Sequence, residues 1–145
     1  MLRFRTFAED DLFEVLKLAN VTLDENYDGG LFLHFARLYP EGFIVAENER
    51  GIVGFIVGTI QRAYEARILA VAVAEPARRM GIGSRLIRDF LETFRAFGVR
   101  RVTLEVRVSN VAAIAAYERL GFEKKGVLPS YYADGEDAYV MGRSI

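Results

Sequence analysis

The sequence contains no cysteine and only one histidine among its 145 residues. The absence of cysteine excludes a disulfide framework, a thiolate zinc site and a cysteine nucleophile. The histidine, His34, stands between Leu33 and Phe35, where a surface or packing role is a better interpretation than catalysis. Covalent catalysis through cysteine is therefore closed to this chain.

The sequence also lacks an excess of charge of either sign, since 19 lysines and arginines face 20 aspartates and glutamates. No global basic field attracts nucleic acid or an acidic membrane, so any anion site must be local. There is no apolar run long enough to span a membrane, and residues 1–7 alternate like a strand rather than a signal peptide. We expect one domain over residues 1–145, in the cytoplasm, without nucleic-acid or membrane partners.

The hydrophobic pattern predicts alternating strands and helices. The predicted elements are a strand in residues 1–7, helices over 9–18 and 31–39, strands over 43–46, 52–60 and 67–74, a helix over 82–97, a strand over 101–108, a helix from 110 to 120, and two strands flanking a turn at 133–136. This order predicts an α/β fold with parallel pairing where helices cross over. We expect a mixed sheet of about seven strands with helices on both faces.

The most informative local sequence is Arg78-Arg79-Met80-Gly81-Ile82-Gly83-Ser84, between a predicted strand and a long helix. Its glycines let the backbone approach an anion closely, and the N–H groups of the helix N-terminus point at that anion. Arg78 and Arg79 add positive charge. The alternative is an ordinary turn with solvated arginines, which two glycines alone do not exclude.

The same segment departs from the two common nucleotide motifs. It is not a P-loop, because no Gly-Lys-Ser/Thr follows, and it lacks the third glycine of the dinucleotide fingerprint. It therefore predicts a different pyrophosphate ligand.

Two further segments carry regular spacing. Residues 101–108 alternate strictly, which displays Glu105 on the face opposite the valines. Asn110, Ala113, Ile114 and Tyr117 form one helical stripe, along which Asn110 and Tyr117 are about 10 Å apart. One ligand can therefore contact both.

These segments together resemble the GNAT acetyltransferases, whose acetyl-CoA pyrophosphate loop has the form (Gln/Arg)-x-x-Gly-x-(Gly/Ala), matched in full by residues 78–83. The resemblance spans essentially the whole chain. It is most specific at Leu104-Glu105-Val106-Arg107-Val108-Ser109-Asn110, at residues 113–122, and at Tyr131-Tyr132-Ala133-Asp134-Gly135-Glu136-Asp137-Ala138-Tyr139. There the sequence is similar to protein N-terminal acetyltransferases, both archaeal NatA-type catalytic subunits and bacterial ribosomal-protein alanine acetyltransferases.

The resemblance implies acetyl-CoA as acetyl donor and no metal. The cofactor-binding residues it implies are Val71, Ala72, Val73, Arg78, Arg79, Gly81, Ile82, Gly83, Ser84, Asn110 and Tyr117. Asn110 would bind the pantetheine arm, and Tyr117 would protonate the leaving thiolate, whose pKa is close to the tyrosine value of about 10. The alternative for Tyr117 is an interior aromatic with a satisfied hydroxyl.

The resemblance also implies an acceptor site. Glu25 and Tyr27, in a polar loop that begins at Asp24, would contact the acceptor peptide, with Tyr131 and Tyr132 across the peptide slot. The alternatives are a surface turn and tyrosines that pack on the sheet.

Glu105 aligns with the general base of bacterial and archaeal members. The alternative is a solvated strand residue paired with Arg101, Arg107 or another cation. Arg67 stands where several relatives carry histidine or tyrosine, and it cannot act as a base at neutral pH. The base is therefore Glu105 or Glu25, and the sequence leaves both open.

The function expected from the resemblance is direct acetyl transfer from acetyl-CoA to the N-terminal α-amine of proteins in a ternary complex. An α-amine, with a pKa of about 8 against about 10.4 for lysine, needs only a modest base. The alternatives are a lysine or small-amine acetyltransferase with the same cofactor site and a non-catalytic acyl-CoA-binding module. Protein N-termini are the expected partners, with the ribosome or an auxiliary subunit as further candidates.

Overall fold

The computed structural model describes residues 1–23 and 25–145, which form one seven-stranded sheet and four α-helices. The strands are β1 (Arg3–Thr6), β2 (Phe43–Asn48), β3 (Gly51–Arg62), β4 (Glu65–Val73), β5 (Arg101–Arg107), β6 (Glu123–Leu128) and β7 (Ala138–Ser144). The helices are α1 (Leu12–Leu23), α2 (Gly29–Leu38), α3 (Ile82–Ala96) and α4 (Val111–Arg119). The order along the chain confirms the predicted one.

The sheet is mixed, in the order β1-β2-β3-β4-β5-β7-β6. Only β4 and β5 pair in parallel, because α3 crosses over between them. The prediction of parallel pairing where helices cross over is thus confirmed at α3, whereas the other two helical connections join strands that do not pair in parallel. The pair α1 and α2 returns the chain antiparallel to β1, and β7 inserts between β5 and β6.

Helices cover both faces of the sheet, as predicted. On one face, α1 and α2 bury Val15, Ala19 and Phe32 against Phe43 and Phe55 of the sheet. On the other face, the buried side of α3 and Ile114 of α4 form the larger core, which also contains Phe122 and Met141. The sheet is therefore the middle of three layers, held by apolar burial on each side.

Strands β4 and β5 separate halfway along their length, and this separation positions the site. Their last registered pair is Arg67 with Thr103, although β4 continues to Val73 and β5 to Arg107. On its other edge β4 stays paired with β3, where the register shift leaves Leu69 as the extra residue of a β-bulge. A cleft therefore opens between two strands of one sheet.

Three local predictions need correction. Helix α1 begins after a 3-10 turn at Glu9–Asp11 and runs to Leu23 rather than ending at residue 18. Phe97, assigned to the apolar stripe of α3, follows the helix and is half exposed, because the chain turns there toward β5. Residues 129–137 separate β6 from β7, so the turn at 133–136 lies inside a longer loop.

Among the described residues, no helix has the length and apolar character needed to cross a membrane.

Candidate active site

A groove of about 710 Å³ lies where the end of β4 meets the N-terminus of α3 and one face of α4; we call it the α3–α4 groove. Its lining includes every predicted cofactor-binding residue, namely Val71, Ala72, Val73, Arg78, Arg79, Gly81, Ile82, Gly83, Ser84, Asn110 and Tyr117. Ala72 and Ile82 are only 4% and 2% exposed, so little of either residue is open to the groove. The structure brings all these residues to one surface, and their binding role stays a prediction.

The N-terminus of α3 presents free backbone N–H groups to this groove. Gly81 precedes the helix with a left-handed φ of 75°, which favours glycine because a side chain would be strained there. The first helical hydrogen bond runs from the N–H of Arg85 to the Gly81 carbonyl at 3.0 Å, so the N–H groups of residues 82–84 have no partner within the helix. Arg78 donates to the Val73 carbonyl at 3.1 Å and ties the loop to the strand end.

Helix α4 forms the opposite wall of the groove. Asn110 caps the helix, since its Oδ1 accepts from the N–H of Ala113 at 3.2 Å, which leaves its amide N–H groups available to a ligand. Of the predicted stripe, Asn110, Ala113 and Tyr117 line the groove, whereas Ile114 is buried in the core. Ala112, Ala113 and Ala116 line the groove, and these small residues leave room for a ligand.

Sequence reasoning missed a third arginine, Arg119, which also lines the α3–α4 groove. Its spacing from Ala112 and Ala116 (i, i+4 and i+7) would have placed all three residues on one helical face. The groove therefore carries three arginines rather than two.

The α3–α4 groove continues into a cavity of about 470 Å³ between the separated halves of β4 and β5, which we call the central cleft. Val71, Asn110 and Tyr117 line both spaces and form the passage between them. The edge of β4 beyond Arg67 faces this cleft instead of β5. The bulge at Leu69 lies in the wall of the cleft. No sequence motif predicts it, because it arises from the register between β3 and β4.

Tyr117 is the aromatic residue at this passage. Burial, with a smaller contribution from nearby Tyr27, raises the pKa of its hydroxyl to about 12. Its ring lies 6.1 Å from that of Phe122 in an edge-on arrangement, so it packs against the core while its side chain borders both cavities. Tyr117 is therefore partly an interior aromatic, and it also borders both cavities; its role as the acid stays a prediction.

Glu105 lies on β5 at the far side of the central cleft, and its carboxylate is paired. Arg67 donates from Nε to Glu105 Oε1 at 2.8 Å and from Nη2 to the Tyr131 hydroxyl at 3.0 Å. The Glu105 side chain is only 14% exposed. The expectation of a pair with a cation is thus met by Arg67, a residue on the neighbouring strand, while Arg101 pairs with Glu65.

Arg107 is an important residue that sequence reasoning placed only as a possible partner of Glu105. Its Nη2 lies 2.5 Å from Glu25 Oε2, and its Nη1 lies 2.8 Å from Asp134 and 2.9 Å from Glu136. The hydrogen bonds to Glu136 and Glu25 raise the pKa of Arg107 further above its usual range. The carboxylates come from distant loops, so no sequence signal connected them.

A third cavity of about 610 Å³, the aromatic slot, adjoins the central cleft. Its lining residues are Glu25, Asn26, Tyr27, Leu31, Phe32, Phe35, Arg67, Leu69, Glu105, Tyr131, Tyr132 and Ala133. Burial, with the nearby Glu25 carboxylate, raises the pKa of Tyr27 to about 12. The four predicted acceptor residues therefore lie around one space, although Asp24, assigned to the same loop, lies outside the described residues.

His34, the histidine of the chain, does not line any of the three cavities described above. Among the described residues, no group of three or more histidine, cysteine, aspartate or glutamate side chains can hold a metal ion. His34 is exposed on α2 and packs edge-on against Phe35 at 5.3 Å. This agrees with the surface role expected for it.

Comparison with known proteins gives the family. An N-alpha-acetyltransferase from Saccharolobus solfataricus is 36% identical, over 97% of this chain and 92% of the relative. The crystal structure of Ard1 from Thermoplasma volcanium superposes with a TM-score of 0.95 at 41% identity, covering 99% of this chain and 97% of that one. The ribosomal-protein-S18-alanine N-acetyltransferase from Escherichia coli gives a TM-score of 0.85 at 27% identity, covering 100% and 94%.

These likenesses confirm the resemblance predicted from the motifs, to archaeal and bacterial N-terminal acetyltransferases alike. Residues 9–122, which are most of the chain, match the family model described as Acetyltransferase (GNAT) family. The chain therefore belongs to the GNAT family of acetyltransferases.

Proposed function

We propose that this enzyme transfers the acetyl group of acetyl-CoA to the N-terminal α-amine of proteins by direct attack in a ternary complex. The observation that carries the proposal is the continuity of the three cavities, from the α3–α4 groove through the central cleft to the aromatic slot. The likeness to N-alpha-acetyltransferases over 97% of the chain supports the same acceptor.

The α3–α4 groove has the chemistry that a pyrophosphate-bearing donor requires. Free N–H groups at the beginning of α3, together with Arg78 and Arg79, attract an anion to that end. The edge of β4 along Val71–Val73 can hydrogen-bond an extended pantetheine arm as a strand would, and Asn110 adds amide donors. When bound, acetyl-CoA supplies an activated acetyl group.

Glu105 is the proposed base. Both of its contacts with Arg67 fall on Oε1, so Oε2 can accept a proton from the incoming amine. Glu105 stands on a strand of the sheet, whereas Glu25 stands on a loop, and a site on a rigid strand is held more accurately. We therefore assign proton abstraction to Glu105 and acceptor binding to Glu25, together with Tyr27, Tyr131 and Tyr132.

Tyr117 is the proposed acid. With a pKa raised to about 12, its hydroxyl stays protonated at neutral pH and can donate but not accept a proton. The neutral amine nitrogen forms a bond to the acetyl carbon, the carbon–sulfur bond breaks, and the Tyr117 proton goes to sulfur. The nitrogen then loses its second proton to solvent as the amide forms, and Tyr117 regains a proton from solvent. Its place at the passage between groove and cleft suits this step.

A kinetic experiment tests the proposal. Acetyl-CoA and a panel of peptides with free or chemically blocked α-amines are mixed with the enzyme, and the release of CoA thiol is followed. We expect turnover only with free α-amines, and initial-rate lines that intersect because both substrates bind before reaction. Turnover of the peptides that contain lysine, whether their α-amine is free or blocked, and of no others would establish the lysine acetyltransferase instead. Binding of acetyl-CoA without turnover would establish the non-catalytic module.

Association with the ribosome or with an auxiliary subunit stays a prediction from the family resemblance. Cosedimentation of the enzyme with purified ribosomes, with and without elevated salt, measures the first directly.

A further inference from the structure

Arg107 connects two loops that are far apart in the sequence and that both contribute to the lining of the central cleft. Glu25, in the loop before α2, is 82 residues away from it, and Glu136, in the loop before β7, is 29 residues away. Both carboxylates and that of Asp134 bind the two terminal nitrogens of one guanidinium. The ring of Tyr132 covers that guanidinium at 4.1 Å. A planar group with several fixed donors suits this arrangement better than a lysine ammonium would.

The two loops depend on Arg107 to different extents. Glu136 also accepts from the N–H of Ser109 at 2.9 Å, and Asp134 accepts from the N–H of Glu136 at 3.0 Å. For the Glu25 carboxylate, Arg107 is the hydrogen-bond donor found among the described residues. Loss of the guanidinium therefore leaves the Asp134 and Glu136 side largely held, and releases the Glu25 side.

The negative charge around Arg107 would add to the displacement of Glu25 once the guanidinium is removed. Three carboxylates converge on one cation, and the hydrogen bonds from Ser109 and Arg107 lower the pKa of Glu136 below its usual range. The backbone N–H of Glu136, and then Arg107, lower the pKa of Asp134 in the same way. These carboxylates are therefore ionised at neutral pH and would repel Glu25 once the cation is removed.

We propose that Arg107 is a positioning residue for the acceptor, which acts through Glu25 to fix the loop before α2 against the slot. This inference rests on the proposed function, because it assigns Glu25 to acceptor binding. Neither Arg107 nor its three carboxylate partners line the α3–α4 groove. All four residues line the central cleft, and Glu25 also lines the aromatic slot. We therefore expect the effect of Arg107 to fall on the acceptor rather than on the binding of acetyl-CoA in the groove.

Steady-state kinetics of Arg107→Ala and Arg107→Lys test the proposal, with Arg101→Ala as the matched control. Arg101 lies on the same strand and pairs with Glu65 at 3.7 Å, away from the three cavities. We expect Arg107→Ala to raise the KM for the peptide about tenfold, because the acceptor is misplaced. Arg107→Lys should give a smaller rise, and Arg101→Ala none. The KM for acetyl-CoA should stay unchanged in all three; an equal rise in both KM values would overturn the proposal.

A double mutant shows whether Arg107 acts through Glu25. In the Glu25→Gln background, Arg107→Ala should add much less to the peptide KM than it does in the wild type, because the contact is already weakened. A full effect in that background would contradict the proposal.

Hydrogen exchange tests the same proposal without any reaction. Peptides covering residues 19–32 should exchange faster in Arg107→Ala than in the wild type or in Arg101→Ala, because the contact that holds Glu25 is lost. Unchanged exchange would overturn the positioning role whatever the enzyme acetylates. Faster exchange in a chain whose wild type acetylates no α-amine would instead contradict the proposed function and leave the positioning role intact.

Discussion

The α3–α4 groove and the aromatic slot are built in opposite ways. The groove uses backbone N–H groups, small residues and residues close in sequence, from Val71 to Ser84, with α4 as its second wall. The slot uses side chains from separate segments, joined by the ion pairs of Arg67 and Arg107. A site that binds through backbone N–H groups tolerates substitution of nearby side chains. A site held together by ion pairs loses its geometry when either partner of a pair is replaced. Substitutions should therefore separate donor effects from acceptor effects.

The largest expected effect belongs to Glu105→Gln, which removes the proposed base beside the slot. At neutral pH we expect kcat to fall about 10³-fold, because the amine must lose its proton unaided. The loss should shrink as the pH rises above about 8, where an α-amine deprotonates by itself. The pH profile of kcat for variant and wild type measures this, with Glu65→Gln, outside the cavities, as the control. If the loss of kcat in Glu105→Gln does not depend on pH, Glu105 has a structural role and is not the base.

Tyr117→Phe should have the next largest effect, at the passage between the two regions. Removal of the proton donor should lower kcat about 10²-fold and leave both KM values close to those of the wild type. Tyr39→Phe is the control, since Tyr39 is also partly buried but packs against Phe94 away from the cavities. Retention of full kcat by Tyr117→Phe would remove the acid from the mechanism.

Gly81→Ala tests the groove alone. The left-handed φ of 75° at Gly81 disfavours alanine by about 1–2 kcal/mol, so the N–H groups that follow should shift. We expect the KM for acetyl-CoA to rise about tenfold, with the peptide KM unchanged. Gly98→Ala is matched to it, because Gly98 has a φ of 87° and open space around it at the other end of α3. If Gly81→Ala and Gly98→Ala raise the KM for acetyl-CoA equally, the backbone at Gly81 has no specific role in binding acetyl-CoA in the groove.

The smallest expected effect is the pH dependence of the ion pairs around Arg107. The pKa values of Asp134 and Glu136 are lowered in the folded state, so their contribution to stability is present at neutral pH. This contribution begins to be lost when the pH falls below the pKa values in the unfolded chain, about 3.9 for aspartate and about 4.3 for glutamate. It is lost completely once the pH has fallen below the lower pKa values of the folded state. The Tm difference between wild type and Arg107→Ala should therefore narrow between about pH 5 and pH 3. Thermal unfolding at both pH values measures it, and a constant difference would contradict the assignment.

The same contrast explains how much the sequence could predict. The element order and the mixed sheet with helices on both faces follow from periodicity. The predicted cofactor residues of the groove follow from the resemblance to the GNAT acetyltransferases, which the continuous motif at residues 78–83 supports. Helical spacing alone does not say which side of a stripe faces the core, so the burial of Ile114 could be learned only from the structure. The prediction failed for the end of α1, because residues 19–23 extend the helix past the predicted stop.

For the aromatic slot, the sequence predicted which residues take part but not how they contact one another. The resemblance gave Glu25, Tyr27, Tyr131 and Tyr132, and the structure brings them together. The pairing of Arg67 with Glu105 depends on strand register, and the bulge at Leu69 depends on a shift in that register. Such contacts between distant segments leave no periodic signal in the sequence.

Acetyl transfer to the N-terminal α-amine is tested most directly by finding which residue of the product carries the acetyl group. The wild-type enzyme is incubated with acetyl-CoA and one peptide that carries both a free α-amine and an internal lysine, and the product is fragmented by tandem mass spectrometry. We expect a single acetyl group on the N-terminal residue. An acetyl group found only on the lysine would contradict the proposed function.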